Sequence, residues 1–265
     1  MPGMPASSRS FRVLARTDVG LVRDGNEDSA LASSRLVAVA DGMGGHAGGE
    51  VASKIAINAL KSLGEILNDG GVDSESREDL LMNISYAIDE KIADEVKKNS
   101  DLSGMGTTLT ALHLGEKTVE LLHVGDSRCY QWKENKLIQL SVDHTVMQEL
   151  IDQGRLTAEE ALSHPQRSLL TQALMGDSGI DPVLVVYPAE IGDQFLLCSD
   201  GLNGILSDHE ITSVIKKYQE KKEDLLDALI DATKEKGAPD NITLLWAEVV
   251  DEAPDMKIHL LGAAQ

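Results

Sequence analysis

Only two of the 265 residues are cysteine, Cys129 and Cys198, and both stand inside apolar runs. They make neither a disulfide framework nor a zinc site and read as small buried hydrophobes, which points to a reducing, cytoplasmic setting. Long apolar runs are missing too. No stretch approaches the about 20 residues that a membrane helix needs, and the opening MPGMPASSRS lacks the apolar core of a signal peptide. Positive charge is scarce: 24 Lys and Arg face 44 Asp and Glu, for a formal charge of −20 and a pI near 4.6. That balance argues against non-specific binding to nucleic acid or to an anionic membrane surface. No Gly-Lys-Ser/Thr occurs, so the phosphate loop of the Walker type is absent. Internal repeats and low-complexity tracts are absent as well.

What is present organises itself around Leu36 to Glu50, LVAVADGMGGHAGGE. Leu36 to Ala40 reads as a buried strand, and Asp41 follows it directly. A carboxylate at the end of a buried strand is unfavourable unless something positive meets it. The glycines after it let backbone come close to that partner. A hydrophobic content of 42% over this length supports one domain with a large core.

In chain order, residues 1–10 read as a flexible tail and 11–250 as the folded domain. Phe11 to Asp18 is a first strand, and VRDGNEDS (Val22 to Ser29) has the turn signal of a polar hairpin loop. Val51, Ile55, Ala59 and Leu63 mark one helix, and Leu80, Ile84, Ile88, Ile92 and Val96 mark another over about 79–97, with the loop LNDGGVDSES between them. Thr107 to Leu114, Thr118 to Val124, Arg128 to Trp132 and Lys136 to Leu140 are short runs separated by turn residues, as in antiparallel pairing. Residues 143–180 turn helical and irregular, with a capping box at Thr157 and Glu160, and look like an inserted subdomain. Asp193 to Cys198 and Ile242 to Val249 are further strands, flanking helices that Ser207 with Glu210 and the Leu225 to Ile230 cluster announce. Residues 251–265 read as a C-terminal tail. Strands in runs and helices in pairs imply an α+β fold of antiparallel sheets with helices packed outside.

Four aspartates stand at strand edges: Asp41 after LVAVA, Asp126 after LLHVG, Asp200 after FLLCS, and Asp240 before NITLLW. Converging carboxylates repel one another unless a cation sits among them. Oxygen-only ligation selects hard ions such as Mg²⁺ or Mn²⁺, and two of them close together can activate water and clamp a phosphoryl group. The rival reading is a dinucleotide loop, since Gly42 to Ala47 matches a loose G-x-G-x-x-G/A pattern between strand and helix. It lacks a second parallel strand ending in an acid about 20 residues on.

RDGNED, VADGMGG, GMGTTLTAL, VGDSRCY, VDHT, CSDGL and APDNIT occur in this order. Together, over about Arg12 to Val249, they resemble the metal-dependent protein serine/threonine phosphatases, the PPM or type 2C family, in its bacterial form. The resemblance implies a four-layer sandwich of two antiparallel β-sheets flanked by helices, with a small flap subdomain at about 143–180 and a metal centre at one end. It implies that Asp41 bridges two metal ions and that the Gly42 carbonyl ligates one of them. Asp200 and Asp240 would hold the first ion and Glu27 the second, while Asp126 with Asp200 would hold a weaker third. Arg23 would grip the substrate phosphate, and Asp28 would accept from water bound at the metals.

The cofactor implied is Mn²⁺ or Mg²⁺, and the reaction implied is one-step attack of metal-bridging hydroxide on phosphoserine or phosphothreonine. Many eukaryotic relatives carry a histidine after the first Asp-Gly, proposed as general acid; here it is Met43, and His46 is no substitute. His123 and His144 read as structural. The expected partners are phosphorylated proteins of Ser/Thr kinase pathways, with no nucleic acid and no membrane, and the chain is expected to be a monomer. Two alternatives remain at this point: a phosphatase dedicated to one phosphorylated regulator, and an inactive phosphoprotein-binding module.

Overall fold

The computed structural model describes residues 9–45, 47–68, 72–157, 160–161, 164, 166, 168–255 and 257–265. The chain opens with β1 (Arg9–Asp18), β2 (Ser29–Ala32), β3 (Leu36–Ala40) and the two-residue β4 (Gly42–Met43), followed by α1 (Gly48–Asn68) and α2 (Ser74–Lys98). Next come β5 (Gly106–Thr107), β6 (Leu109–Leu114), β7 (Thr118–Val124), β8 (Arg128–Lys133), β9 (Lys136–Gln139) and α3 (Val146–Asp152). The last third holds β10 (Val183–Pro188), β11 (Gln194–Cys198), α4 (Asp200–Asn203), α5 (Asp208–Tyr218), α6 (Leu225–Glu235), β12 (Ile242–Asp251) and β13 (His259–Gly262).

Two antiparallel sheets stack face to face, in the orders β10-β7-β6-β3-β2-β13 and β1-β12-β11-β8-β9. Alternation within β3 shows why its sequence is apolar throughout. Val37 and Val39 pack between the sheets with Phe11, Phe195 and Leu245, while Leu36, Ala38 and Ala40 face α1 and α2 through Ala56, Leu60 and Ile88. β12 does the same on the other side, sending Leu244 and Trp246 towards Ile211 and Leu229 of α5 and α6. Burial on both faces turns alternating patterns into continuous apolar runs. The result is the expected α+β architecture in four layers, helix, sheet, sheet, helix. Both neighbours of β3 are antiparallel to it, which removes the dinucleotide reading.

Helix ends follow local chemistry. Asp73 caps α2 by accepting from the Ser76 amide at 2.9 Å, and Lys97 and Lys98 sit in its last turn. This cap starts α2 several residues before position 79, inside the stretch expected as loop. Ser207 and Glu210 form the expected capping box of α5. Thr157 and Glu160 exchange the corresponding bonds, with the Thr157 amide donating to Glu160 at 2.9 Å and the Glu160 amide to Thr157 at 3.2 Å.

Four expectations need correction. Arg9 and Ser10 belong to β1, whereas residues 1–8 of the expected tail lie outside the described residues. The loop at Val22 to Ser29 is no hairpin, because β1 and β2 lie in different sheets. β10 was not expected at all; it pairs with β7 from Val183–His123 to Pro188–Thr118. The C-terminal stretch is not a free tail: β13 adds to β2 at the sheet edge, and the Ala263 amide donates to the Asp28 carbonyl at 2.8 Å. No helix among the described residues is long and apolar enough to cross a membrane.

Candidate metal centre

The sandwich brings its strand ends together at one edge. Asp41 ends β3, Asp126 lies in the turn from β7 to β8, Asp200 begins α4 just after β11, and Asp240 precedes β12. The loop from β1 to β2 carries Arg23, Glu27 and Asp28. A cleft of about 220 Å³ is lined by Arg23, Glu27, Asp41, Gly42, Asp126, Asp200 and Asp240, with Met43, Gly44, Thr108, Ser168 and Leu170 completing its wall. Asp28 lies behind it, fully buried. A larger cavity of about 460 Å³ opens between β1 and β13, but its wall of Phe11, Val13, Leu260 and Leu261 holds no cluster of acids.

Close approach shapes the floor. A Cβ at Gly42 would stand 2.1 Å from the Gly49 carbonyl oxygen and 2.4 Å from that of Glu27. Only glycine lets β4, the start of α1 and the Glu27 loop meet here. The Asp41 backbone is fixed by Thr108, whose hydroxyl accepts from the Asp41 amide at 3.0 Å and whose own amide donates to the Asp41 carbonyl at 2.9 Å.

The electrostatics are one-sided. Burial raises the Asp41 carboxyl well above the ordinary carboxylate range, and the charges of Asp28, Asp200, Asp126 and Asp240 raise it further. Burial and then Asp200 and Asp143 push Asp126 up to about 8. Burial likewise lifts Asp28 to about 7, despite the hydrogen bond it accepts from Ser199 at 2.7 Å. Glu27 is raised by burial and held back by Arg23. Arg23 is the one cationic side chain on the described wall; its Nη2 donates to Asp240 at 2.8 Å and its Nη1 lies 3.6 Å from Glu27.

Oxygen donors alone, with neither thiol nor imidazole on the described wall, fit a hard divalent ion, which would relieve this repulsion. Among the described residues no three acids, histidines or cysteines form a ready ligand set; Asp240 leans on Arg23 instead.

Some residues that shape the site carried no local signal. Asn241 is buried and bonds the whole arginine loop: its Nδ2 donates to the Val19 and Gly25 carbonyls, both at 2.9 Å, and its Oδ1 accepts from the Glu27 amide at 2.8 Å. Ser53 on α1 holds the other side of that residue, donating to the Glu27 carbonyl at 2.6 Å. Asn241 was legible only as part of APDNIT. His123 is buried between Thr110 at 2.9 Å and the Val142 carbonyl at 3.0 Å, away from the wall. His46 lies outside the described residues. Cys129 and Cys198 are free and buried, and burial pushes the Cys198 thiol up to about 12.

Two antiparallel sheets flanked by helices carry an acid-lined cleft at one end, an α+β sandwich class, and comparison with known proteins identifies the family. The model of the family described as protein phosphatase 2C matches residues 23–243, and the chain belongs to that family. It is 45% identical over 244 residues to the serine/threonine protein phosphatase PstP of Mycobacterium tuberculosis, covering 91% of this chain and 45% of that protein. The chain thus spans less than half the length of that relative. It is 34% identical over 238 residues to the serine/threonine phosphatase stp of Listeria monocytogenes, covering 88% and 94%. Among solved structures, M. tuberculosis PstP superposes with a TM-score of 0.84 at 42% identity, covering 91% of this chain and 99% of that one. The catalytic domain of PstP in complex with two manganese ions gives 0.81 at 40% identity, with 91% and 99% coverage.

Proposed function

We propose that the chain hydrolyses phosphoserine and phosphothreonine on proteins at a centre of two Mn²⁺ or Mg²⁺ ions with a weaker third. The observation that carries the reading is the meeting of half-buried Asp41, Asp200, Asp240 and Glu27 and buried Asp126 with one arginine at a single cleft. In this reading Asp41 would be shared by the two core ions and Gly42 would offer its carbonyl. Asp200 and Asp240 would hold one ion, Glu27 the other, and Asp126 with Asp200 the third. Bound there, the ions supply a water acidic enough to serve as nucleophile near neutral pH, together with positive charge for the phosphoryl oxygens.

The protein's own groups do the rest. Arg23 presents a planar fork to the phosphate, and its attachment through Asn241 fixes where that fork stands. Asp28, beneath the cleft, accepts hydrogen from water beside the ions. Water adds to phosphorus, the P–O ester bond breaks, and the serine or threonine hydroxyl leaves with a proton beside inorganic phosphate. Met43 has no ionisable proton to give, so that proton comes from solvent or from water at the third site. In the stretch read as a flap, Ser168 and Leu170 line the cleft edge, which supports that reading.

The substrates are then proteins phosphorylated by Ser/Thr kinases, met by a monomer in the cytoplasm, where free buried thiols are stable. Three acids at the core positions, all intact, weigh against an inactive phosphoprotein-binding module. A phosphothreonine peptide assayed with Mn²⁺ and after EDTA dialysis tests the reading. Activity lost in EDTA and restored by Mn²⁺ supports it, and undiminished turnover in EDTA contradicts it.

A further inference from the structure

The turn that carries Asp126 has no hairpin to support it. β7 and β8 lie in different sheets, so Gly125 to Ser127 crosses between layers without a ladder to fix its shape. Gly125 has φ of +107°, and a Cβ there would stand 2.6 Å from Thr108 Cγ2. Something outside the turn must hold the aspartate in place.

Two consecutive residues at the base of the flap segment do so, one on each side of Asp126. The His144 amide donates to the Gly125 carbonyl at 2.8 Å, and the Gly125 amide donates back to His144 Nδ1 at 3.2 Å. Nδ1 is therefore the bare nitrogen of the ring, and both polar groups of Gly125 are satisfied by one residue. On the other side, Asp143 takes the Arg128 fork, with Nε at 2.9 Å from Oδ1 and Nη2 at 2.6 Å from Oδ2. The same stretch then reaches the returning limb of the flap. The Thr171 amide donates to the His144 carbonyl at 2.9 Å, the Val146 amide to the Leu169 carbonyl at 3.0 Å, and Thr145 bridges Leu170. Leu170 and Ser168 line the cleft.

The geometry points to His144 as a positioning residue for Asp126, acting with Asp143 as a clip that joins the Asp126 turn to residues 169–171. Neither residue lines the cleft, so each works through Gly125 or Arg128. The clip makes one unit of the aspartate and the flap limb opposite it, so that displacing the limb disturbs the aspartate. This rests on the assignment of Asp126 to the metal centre.

A cycle of His144→Leu, which keeps bulk and removes the acceptor, with Asp126→Asn tests it. His144→Asn, which retains an acceptor near the Nδ1 position, is the conservative control. Mn²⁺ is titrated by calorimetry into metal-free protein, and kcat and KM are measured with a phosphothreonine peptide. The expected result is that His144→Leu keeps the two tighter ions, weakens the Asp126-dependent site and lowers kcat by roughly tenfold, the worth of one lost hydrogen bond to a fixed group, at unchanged KM. His144→Asn recovers most of the loss, and in the Asp126→Asn background His144→Leu adds nothing further.

An equal effect in both backgrounds would make the histidine a general support of the fold and overturn the inference, as would wild-type behaviour of His144→Leu. If His144→Leu does not fold, Asp143→Asn takes its place in the same cycle, and failure of both to fold overturns the inference likewise. A wild-type titration with no Asp126-dependent site would instead overturn the metal assignment, leaving the kcat cycle to judge the clip. A protein inactive on every phosphopeptide would overturn the proposed activity, leaving the metal titration to do so.

Discussion

Arg23 and Asp240, 217 residues apart in the chain, form a hydrogen-bonded ion pair of 2.8 Å at the cleft. The guanidinium thus occupies an acid assigned to a metal ion, and Glu27 lies within 3.6 Å of the same fork. On the proposed assignment, turning Asp240 to an ion would release the fork for a phosphate, so that metal binding and phosphate binding would be coupled through this residue.

Arg23→Ala separates the two roles. Loss of a charge-assisted contact to phosphate should raise KM and lower kcat/KM by roughly 10- to 100-fold. Affinity for Mn²⁺ should not fall, because the arginine competes for Asp240 and Glu27. Steady-state kinetics beside a metal titration checks both; unchanged kinetics would leave Arg23 as no more than a partner for Asp240.

Asn241→Ala should be among the more damaging single changes near the site. It breaks three bonds, to Val19, Gly25 and Glu27, and leaves the Glu27 amide without its acceptor. At about 1 kcal/mol for each net bond, with an added penalty for the buried orphan, the loss is about 2–4 kcal/mol. Urea unfolding reads it, and the loosened Arg23 loop should raise KM as well. A loss below about 1 kcal/mol would mean the loop holds its own shape.

The strands of the central layers were readable because burial on both faces leaves unbroken apolar runs: β3 spans Leu36–Ala40 as the sequence indicates, and β7 spans Thr118–Val124. β10 escaped because it is a half-exposed edge strand supported by β7 alone. β13 escaped because four residues take their strand geometry from β2. The aspartates were visible for the same reason as the core strands, three following an apolar run and Asp240 preceding one. Asn241, Thr108 and His144 were not, since their roles lie in bonds to residues far away in the chain, and no local spacing records those. Asp28 entered only through resemblance to a family.

Protons and metal ions should each stabilise the folded protein, in competition for the same acids. Asp28 is raised to about 7, Asp126 to about 8, and Asp41 well above the usual range, whereas unfolded aspartates titrate near pH 4, at about 3.9. Between these values the metal-free folded protein holds protons that the unfolded chain releases, so its stability falls as pH rises through about 4 to 8. His123 works the other way: burial holds it down to about 3, so its contribution grows with pH up to about 6.5 and is constant above. From about pH 6.5 to 8 the acids therefore dominate. Tm of metal-free protein should drop over that window, and the rise in Tm on adding Mn²⁺ should be larger at the upper end, where ions no longer compete with protons. A Mn²⁺ shift independent of pH would contradict this.

Removing the residues after 252 tests whether the C-terminal strand belongs to the fold. The truncation deletes β13 and the Ala263 bond to the Asp28 carbonyl, and it bares the edge of β2. Tm should fall by several degrees, as a loss of about 1–3 kcal/mol produces in a domain of this size. An unchanged Tm would return the segment to a passive tail.

The central claim, a metal centre built from strand-edge acids, is tested most directly by calorimetric titration of Mn²⁺ into metal-free protein, with phosphopeptide turnover measured on the same samples. Wild-type protein should take up two ions tightly and a third more weakly, with activity appearing as they bind. Asp200→Ala should lose tight binding and all turnover, whereas Asp126→Ala should keep the two tight ions and a normal Tm while turnover falls sharply. Full turnover by Asp200→Ala, or by wild-type protein that binds no Mn²⁺, would contradict the account.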